Sequence, residues 1–244
     1  IKPLIYSKPE SFNESIEKSI SVLSGGFNEK QQLQDAFAEF EKCASIDIGD
    51  AEEPPNLEED MRFFRELAIE VDGIHPDWSG RTDFIMPIAL GMNALAGNPV
   101  NYYQLQAAIY LHDVGMRFMP EGLLRKKGGF SEAEREQLAS HPNWAIENIN
   151  LMEGWNESAW IVYQHHERFD GSGYPEKTAG EEISDGAQII GVCDTFYSVM
   201  IRNRKRSVLR SVAEVNACKG KDFSPKWVDL FNKVIRIQQM AGQI

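Results

Sequence analysis

The sequence predicts an all-α fold, a helical bundle with a small helical segment at its N-terminal end. From Leu57 onward, apolar residues recur at the spacing of amphipathic helices. Alternation of β-branched and polar residues, which is typical of strands, is sparse, and the chain has no internal repeat or low-complexity tract. With 244 residues, the chain is long enough to bury a sizeable core.

The periodicity predicts helices along the main part of the chain. They cover residues 58–71, 80–96, 101–115, 131–152, 156–167, 185–201, 207–219 and 224–240. Pro87 falls inside the second of these helices and is expected to kink it, because proline has no backbone N–H to donate.

The beginning of the chain has a different character. Two shorter amphipathic helices are predicted over 12–24 and 29–43. They are followed by an acidic, proline-containing stretch at 46–59, which is typical of a linker. The sequence therefore predicts a small N-terminal helical segment or cap of unknown function, residues 1–57, followed by a larger domain, residues 58–244.

Composition excludes several classes of function. The net charge of −12 argues against general DNA binding, because such binding depends on cationic surfaces. No apolar run is long enough for a membrane span, so no membrane partner is expected. The cysteines Cys43, Cys193 and Cys218 are odd in number and widely spaced, as expected for a reducing, cytoplasmic location.

One basic cluster stands out from this acidic background. Arg202, Arg204, Lys205, Arg206 and Arg210 lie within a few residues of one another. They could form a solvated helix face, or they could bind phosphate groups, to which arginine offers bidentate hydrogen bonds. Both interpretations stay open at this point.

The histidines and two of the aspartates carry the chemical signal. A buried carboxylate is costly unless it is paired or bound to a metal, and imidazole with carboxylate suits iron, manganese, zinc or nickel. Any one of these residues alone could be a hydrogen-bonded core residue. Their order along the chain predicts a metal site instead, formed by His112, Asp113, His141, His165, His166 and Asp194.

These motifs resemble a known family. The sequence His-Asp-Val-Gly begins at His112, His-Pro begins at His141, and HHERFDGSGYP runs from His165 to Pro175. Together with Gly-Val-Cys-Asp, which ends at Asp194, they are similar to the HD-GYP subgroup of the HD phosphohydrolase superfamily. The resemblance extends from about Trp78 to Val234.

The resemblance implies a helical phosphodiesterase that hydrolyses cyclic di-GMP at two divalent metal ions. Iron or manganese is usual in the family, with zinc, nickel or magnesium as alternatives. The six residues above would be the ligands, with Asp113 bridging the ions and His112 and Asp113 catalytic. Gly171, Gly173 and Tyr174 form the loop that names the family, and its glycines are expected to adopt positive φ. The residues expected to bind substrate are Tyr174, Arg202, Arg204 and Arg206.

The sequence departs from the family pattern on one side of the site. Gly80 stands where the family has a further ligand histidine, and His75 could replace it only if the helix start shifted. Met116 replaces a lysine, Tyr197 replaces a second aspartate, and Asn203 replaces an arginine. The missing lysine and arginine would have supplied positive charge toward the substrate, whereas the change at Gly80 removes a metal ligand.

Two functions therefore stay open. The first is a metal-dependent phosphodiesterase acting on cyclic di-GMP or a related cyclic dinucleotide in bacterial signalling. The alternative is a catalytically degenerate domain that binds a nucleotide or a signalling protein partner without turnover. A phosphohydrolase acting on another phosphoester is a third reading, which the loop ending in Gly173-Tyr174-Pro175 disfavours.

Overall fold

The computed structural model describes residues 52–126, 128–202 and 208–240, and this part of the chain is helical, as predicted. Its only β-type pairing in these ranges is an isolated bridge between Lys219 and Phe223. Short 3₁₀ helices lie at Pro76–Trp78, Val114–Phe118 and Gly180–Glu182. The α-helices are α1 (Leu57–Asp72), α2 (Arg81–Leu95), α3 (Tyr102–Leu111), α4 (Glu121–Leu124), α5 (Glu132–Leu138), α6 (His141–Ile149), α7 (Asn156–Gln164), α8 (Asp185–Arg202), α9 (Val208–Ala217) and α10 (Pro225–Met240).

The single helix predicted over 131–152 is wrong, because the chain forms α5 and α6 there with a break at Ala139 and Ser140. Pro142 explains the break. It has no backbone N–H to donate, and it lies in the first turn of α6, where no intrahelical partner is required. The interruption starts a new helix at His141 and turns this histidine inward.

The helix predicted over 101–115 also ends early. α3 stops at Leu111, and the chain tightens into the 3₁₀ turn Val114–Phe118. Asp113 lies between the two elements with non-helical backbone angles. Its side chain is therefore presented at a helix end rather than along a helix face.

The core is organised around α8. This helix packs against α2, α7, α9 and α10. Phe196 of α8 is fully buried, with its ring 5.0 Å from that of Phe231 in α10 and 6.0 Å from that of Phe84 in α2. Packing against α8 thus fixes the position of α2, which begins at Arg81, and of α7, which ends just before His165.

Buried tryptophans keep their ring N–H groups hydrogen-bonded. Trp155 donates to Asp60 at 2.7 Å and packs edge-on against Phe64. Trp227 donates to Asp185 at 3.1 Å, which ties α10 to the start of α8. Burying these large rings without an unsatisfied donor stabilises the bundle.

The described residues before α1 contact the helical domain. The carbonyl of Glu52 accepts a hydrogen bond from Asn101 at 3.2 Å, and the Glu53 carboxylate accepts one from Tyr103 at 3.2 Å. The helices predicted over 12–24 and 29–43 lie outside the described residues. The division of the chain at residue 57 stays a prediction.

None of the helices in the described ranges is both long and apolar enough to cross a bilayer. The longest, α8, has 18 residues and carries Asp185, Asp194 and Arg202.

Candidate metal centre

Four of the predicted ligands converge at one point of the bundle. Asp113, His141, His165 and His166 each offer a ligand atom, and these atoms all lie within 4.8 Å of one another. Asp113 follows α3, His141 begins α6, and the two adjacent histidines follow α7 directly. Residues that are far apart in the sequence are therefore brought together by the ends of three helices.

The histidine rings are oriented by the backbone. The Nδ1 atoms of His112, His141 and His165 lie 2.8, 2.8 and 2.6 Å from the carbonyl oxygen three residues earlier in the chain. A carbonyl oxygen accepts but cannot donate, so each Nδ1 carries the proton. Each Nε2 atom consequently presents a lone pair to the interior, which is how protein histidines are fixed for metal binding.

The lone pairs point at one another and at a carboxylate. His141 Nε2 lies 3.4 Å from His165 Nε2, and these atoms lie 3.2 and 3.7 Å from Asp113 Oδ1. Burial opposes ionisation of Asp113, yet the Arg81 guanidinium holds the pKa of this carboxyl well below its usual value. Bare imidazole nitrogens and an ionised carboxylate form a donor set that fits a divalent transition metal ion.

His112 lies beside this group. Its Nε2 atom is 3.8 Å from Asp113 Oδ2, and it is buried without a hydrogen-bond partner. Burial is the main reason that the pKa of His112 falls to about 4, so the ring is neutral near pH 7. His112 can thus serve as a further ligand, although its ligand atom lies outside the tight group of four.

Arg81, which sequence analysis missed, occupies the side of the site where the family pattern is lost. Its guanidinium contacts Asp113 Oδ2 through Nη2 and lies 3.4 Å from Asp194 Oδ1 through Nη1. Its Nε lies 3.8 Å from Asp72 Oδ1, and the residue is only 4% exposed. The structure therefore pairs Asp194, a predicted ligand, with an arginine.

The residues around Arg81 form an ordered turn. Gly80 has φ 75°, a left-handed conformation that favours glycine, and it precedes the first residue of α2. The hydroxyl of Tyr197 lies 3.1 and 3.2 Å from the carbonyl oxygens of Asp77 and Ser79. His75 accepts a hydrogen bond from the Asp77 backbone N–H at 3.1 Å, so its ring caps the 3₁₀ helix rather than joining the four ligands.

A cleft of about 490 Å³ opens over the site. It is lined by His165, His166 and Asp194 together with Arg81, Arg168, Arg202 and Trp78. Its volume is in the range usual for small-molecule sites. Arginine side chains beside predicted metal ligands favour the binding of a phosphate-containing molecule.

Of the arginines predicted to bind phosphate groups, the structure describes Arg202 but not Arg204 or Arg206. Arg202 lines the cleft and forms an ion pair with Glu214 at 3.6 Å. Arg168, which the sequence analysis did not select, also lines the cleft and lies 3.5 Å from Asp222. Its position directly after the His165–Glu167 run was the available signal.

The loop at 171–174 contacts the predicted ligand His166. The Tyr174 ring stacks on the His166 ring, with the centroids 4.8 Å apart. Gly171 has the expected positive φ, 77°, but Gly173 does not. Gly173 is required for a different reason, because a Cβ there would overlap the backbone of Glu167 and Arg168. Contact between Tyr174 and substrate stays a prediction.

Acidification is expected to destabilise the metal-free protein. Burial lowers the pKa of both His112 and His166 in the folded state, so the unfolded chain takes up protons first as the pH falls below about 6.5. The contribution of these histidines to the free energy of unfolding is therefore complete above that pH and is lost as the pH falls toward about 4. By pH 5.5, His112 alone should lower the free energy of unfolding by about 1 kcal/mol.

This pH dependence can be measured by urea unfolding in the presence of a chelator. The His112→Gln variant should show a shallower dependence of the free energy of unfolding on pH than the unsubstituted chain. Equal slopes for the two proteins would contradict the prediction.

Residues 79–225, more than half of the chain, match the HD domain family. The chain is 32% identical over 145 residues to the cyclic di-GMP phosphodiesterase response regulator RpfG of Xanthomonas campestris, covering 57% of this chain and 38% of that protein. It is 31% identical over 128 residues to 3'3'-cGAMP-specific phosphodiesterase 2 of Vibrio cholerae, covering 49% of this chain and 24% of that protein. The chain thus spans less than half the length of these curated relatives.

The fold has a counterpart among solved structures. Bd1817, an HDGYP protein of Bdellovibrio bacteriovorus, superposes with a TM-score of 0.54 at 12% identity, covering 92% of this chain and 78% of that one. At this identity the likeness concerns the fold alone, and it agrees with the all-α prediction. The chain belongs to the HD domain family, and within that family its HHERFDGSGYP segment resembles the HD-GYP subgroup.

Proposed function

We propose that this chain is a metal-dependent phosphodiesterase that hydrolyses cyclic di-GMP or a related cyclic dinucleotide in bacterial signalling. One observation carries the proposal. The Nε2 atoms of His141 and His165 converge on the carboxylate of Asp113, and His165 also lines a cleft that Arg81, Arg168 and Arg202 line. The relatives named for cyclic di-GMP and 3'3'-cGAMP supply the substrate class.

The donor set defines what the cofactor would be. Asp113, His141, His165 and His166 would hold a divalent ion, and His112 and Asp194 are the remaining candidate ligands implied by the resemblance. We propose iron or manganese, because mixed imidazole and carboxylate ligands suit them. A bound divalent ion would polarise a phosphate oxygen and activate water for attack on phosphorus.

The remaining steps fall to the chain's own residues. Arg168 and Arg202, on the cleft wall, would bind the phosphate groups of the dinucleotide and hold the scissile phosphodiester over the ligands. Arg204 and Arg206 remain proposed substrate contacts. Tyr174 would act by keeping the His166 ring in place, since the two rings are stacked. His112 and Asp113 are the proposed catalytic residues.

The function is tested by turnover. The chain, purified without chelator, is incubated with cyclic di-GMP and separately with 3'3'-cGAMP, each with and without added manganese or ferrous iron. We expect release of the linear dinucleotide when metal is present and loss of product when a chelator is added. Metal-loaded protein that leaves both substrates intact, while a known phosphodiesterase cleaves them, would exclude this function.

A second candidate is supported by the position of Arg81. Its guanidinium lies between Asp113 and Asp194, two predicted ligands, as would be expected in a domain that retains the cleft but not turnover. Such a domain would bind a cyclic dinucleotide or a signalling protein partner. Dinucleotide binding without cleavage that persists after alanine replacement of His165 and His166 would favour this candidate.

The cellular location is part of the proposal. Cys193 and Cys218 are both free thiols in the structure, which supports a reducing, cytoplasmic location.

A further inference from the structure

We propose that the guanidinium of Arg81 takes the place of one of the two metal ions that the resemblance implies, so that this chain binds a single ion. This inference rests on the metal centre proposed above. Arg81 contacts one oxygen of Asp113, Oδ2, while His141 and His165 approach the other, Oδ1. The carboxylate that the resemblance assigns to bridging two ions therefore has one oxygen engaged by Arg81, and its other oxygen would be left to hold one ion.

The charges around Arg81 are those expected for a cation site. Asp113, Asp194 and Asp72 surround the guanidinium at distances of up to 3.8 Å, and Arg81 is almost fully buried. A second divalent ion would have to share Asp113 and Asp194 with this positive charge. Repulsion between neighbouring cations in a buried site is strong, so the arginine excludes the ion.

The fold holds Arg81 in this place from several sides. Asp72 accepts hydrogen bonds from the Thr82 backbone N–H at 2.9 Å and from its hydroxyl at 3.2 Å, which fixes the start of α2. The Trp78 ring lies 5.3 Å from the guanidinium carbon. Tyr197, at another of the departures from the family pattern, binds the carbonyls of the preceding turn. Gly80 and Tyr197, two of the departures from the family pattern, therefore belong to or contact the turn that precedes Arg81.

His112 agrees with the same interpretation. Its Nε2 lone pair is buried without a hydrogen-bond partner and lies 3.8 Å from the Asp113 oxygen that Arg81 contacts. If Arg81 were neutral or shorter, His112, Asp113 and Asp194 would be available together. Removing the guanidinium charge is thus expected to create a second ion site.

The inference is tested by counting metal ions rather than by turnover. The full chain is loaded with manganese, freed of unbound ion, and analysed for manganese per chain by elemental analysis and by electron paramagnetic resonance. We expect one ion per chain and the resolved hyperfine pattern of an isolated Mn²⁺. Two ions with an exchange-coupled spectrum would overturn the role of Arg81 while leaving the metal centre intact, and no bound ion would instead exclude the metal centre.

Variants at Arg81 separate charge from shape. Arg81→Gln should raise the count from one ion to two, whereas Arg81→Lys, which keeps a cation, should leave it at one. Arg117→Gln is the control, because Arg117 pairs with Glu70 at 2.9 Å on the surface, and its count should stay at one. A folded Arg81→Gln protein that still binds one ion would contradict the exclusion by Arg81. If that variant does not fold, the count in the unsubstituted chain and in Arg81→Lys decides.

Discussion

Replacing both His165 and His166 by alanine is expected to abolish metal binding by this chain. The change removes two of the four donors that lie within 4.8 Å of one another, leaving only Asp113 and His141. Substitutions in the outer shell of metal sites commonly cost about 10- to 100-fold in affinity, so the loss of two direct ligands should exceed about 100-fold. The proposed phosphodiesterase activity should fall to background.

Thermal unfolding provides a measurement that does not depend on substrate. An ion that binds only the folded chain stabilises it by about 2.7 kcal/mol at a concentration a hundred times its dissociation constant. Added manganese should therefore raise the melting temperature of the unsubstituted protein and leave that of the double variant unchanged. Elemental analysis of the same samples reports the bound ion directly.

His75→Ala is the matched control for this experiment. His75 is close in the chain to Asp77 and Trp78, which line the cleft. Its ring accepts a hydrogen bond from the Asp77 backbone N–H and takes no part in the group of four. The control should keep its metal and its manganese-dependent rise in melting temperature. Full metal content in the double variant would show that the site lies elsewhere.

The sequence predicted most of the helices because their apolar periodicity is strong and their ends carry conventional signals. Helix α1 was expected over 58–71 and spans Leu57–Asp72, and α10 was expected over 224–240 and spans Pro225–Met240. The errors lie where the chain leaves a helix to place a functional side chain. The break before His141 depends on Pro142, whose effect is local and is not visible in hydrophobic periodicity.

The site was predicted unevenly for a physical reason. His141, His165 and His166 belong to short motifs, so their chemistry can be inferred without knowledge of the packing. Arg81 could not be selected in this way, because its role arises only when the start of α2 meets Asp113 and Asp194 across the bundle. One signal was present: a cation in the first turn of a helix is unfavourable with the helix dipole and requires negative partners.

Replacing Gly115 by alanine is expected to weaken metal binding although Gly115 holds no ligand atom. Gly115 belongs to the 3₁₀ turn that follows Asp113, and this turn packs against α6. A Cβ at this position would overlap the carbonyl group of His141. Because the obstruction is backbone rather than a flexible side chain, the turn and the start of α6 must separate, which moves His141 away from Asp113.

The expected effects of Gly115→Ala are a loss of about 1–3 kcal/mol in the free energy of unfolding and a fall of about 10- to 100-fold in metal affinity. Chemical unfolding and metal titration by calorimetry measure the two quantities. Gly122→Ala is the matched control, since Gly122 lies in α4 with open space around its Cβ position, and alanine there should stabilise the chain by up to about 1 kcal/mol. Unchanged metal affinity in a folded Gly115→Ala protein would contradict this prediction, because it would mean that the distance between Asp113 and His141 does not depend on the close contact at Gly115. The carbonyl of Leu138, which holds the His141 ring, would then have to keep His141 beside Asp113.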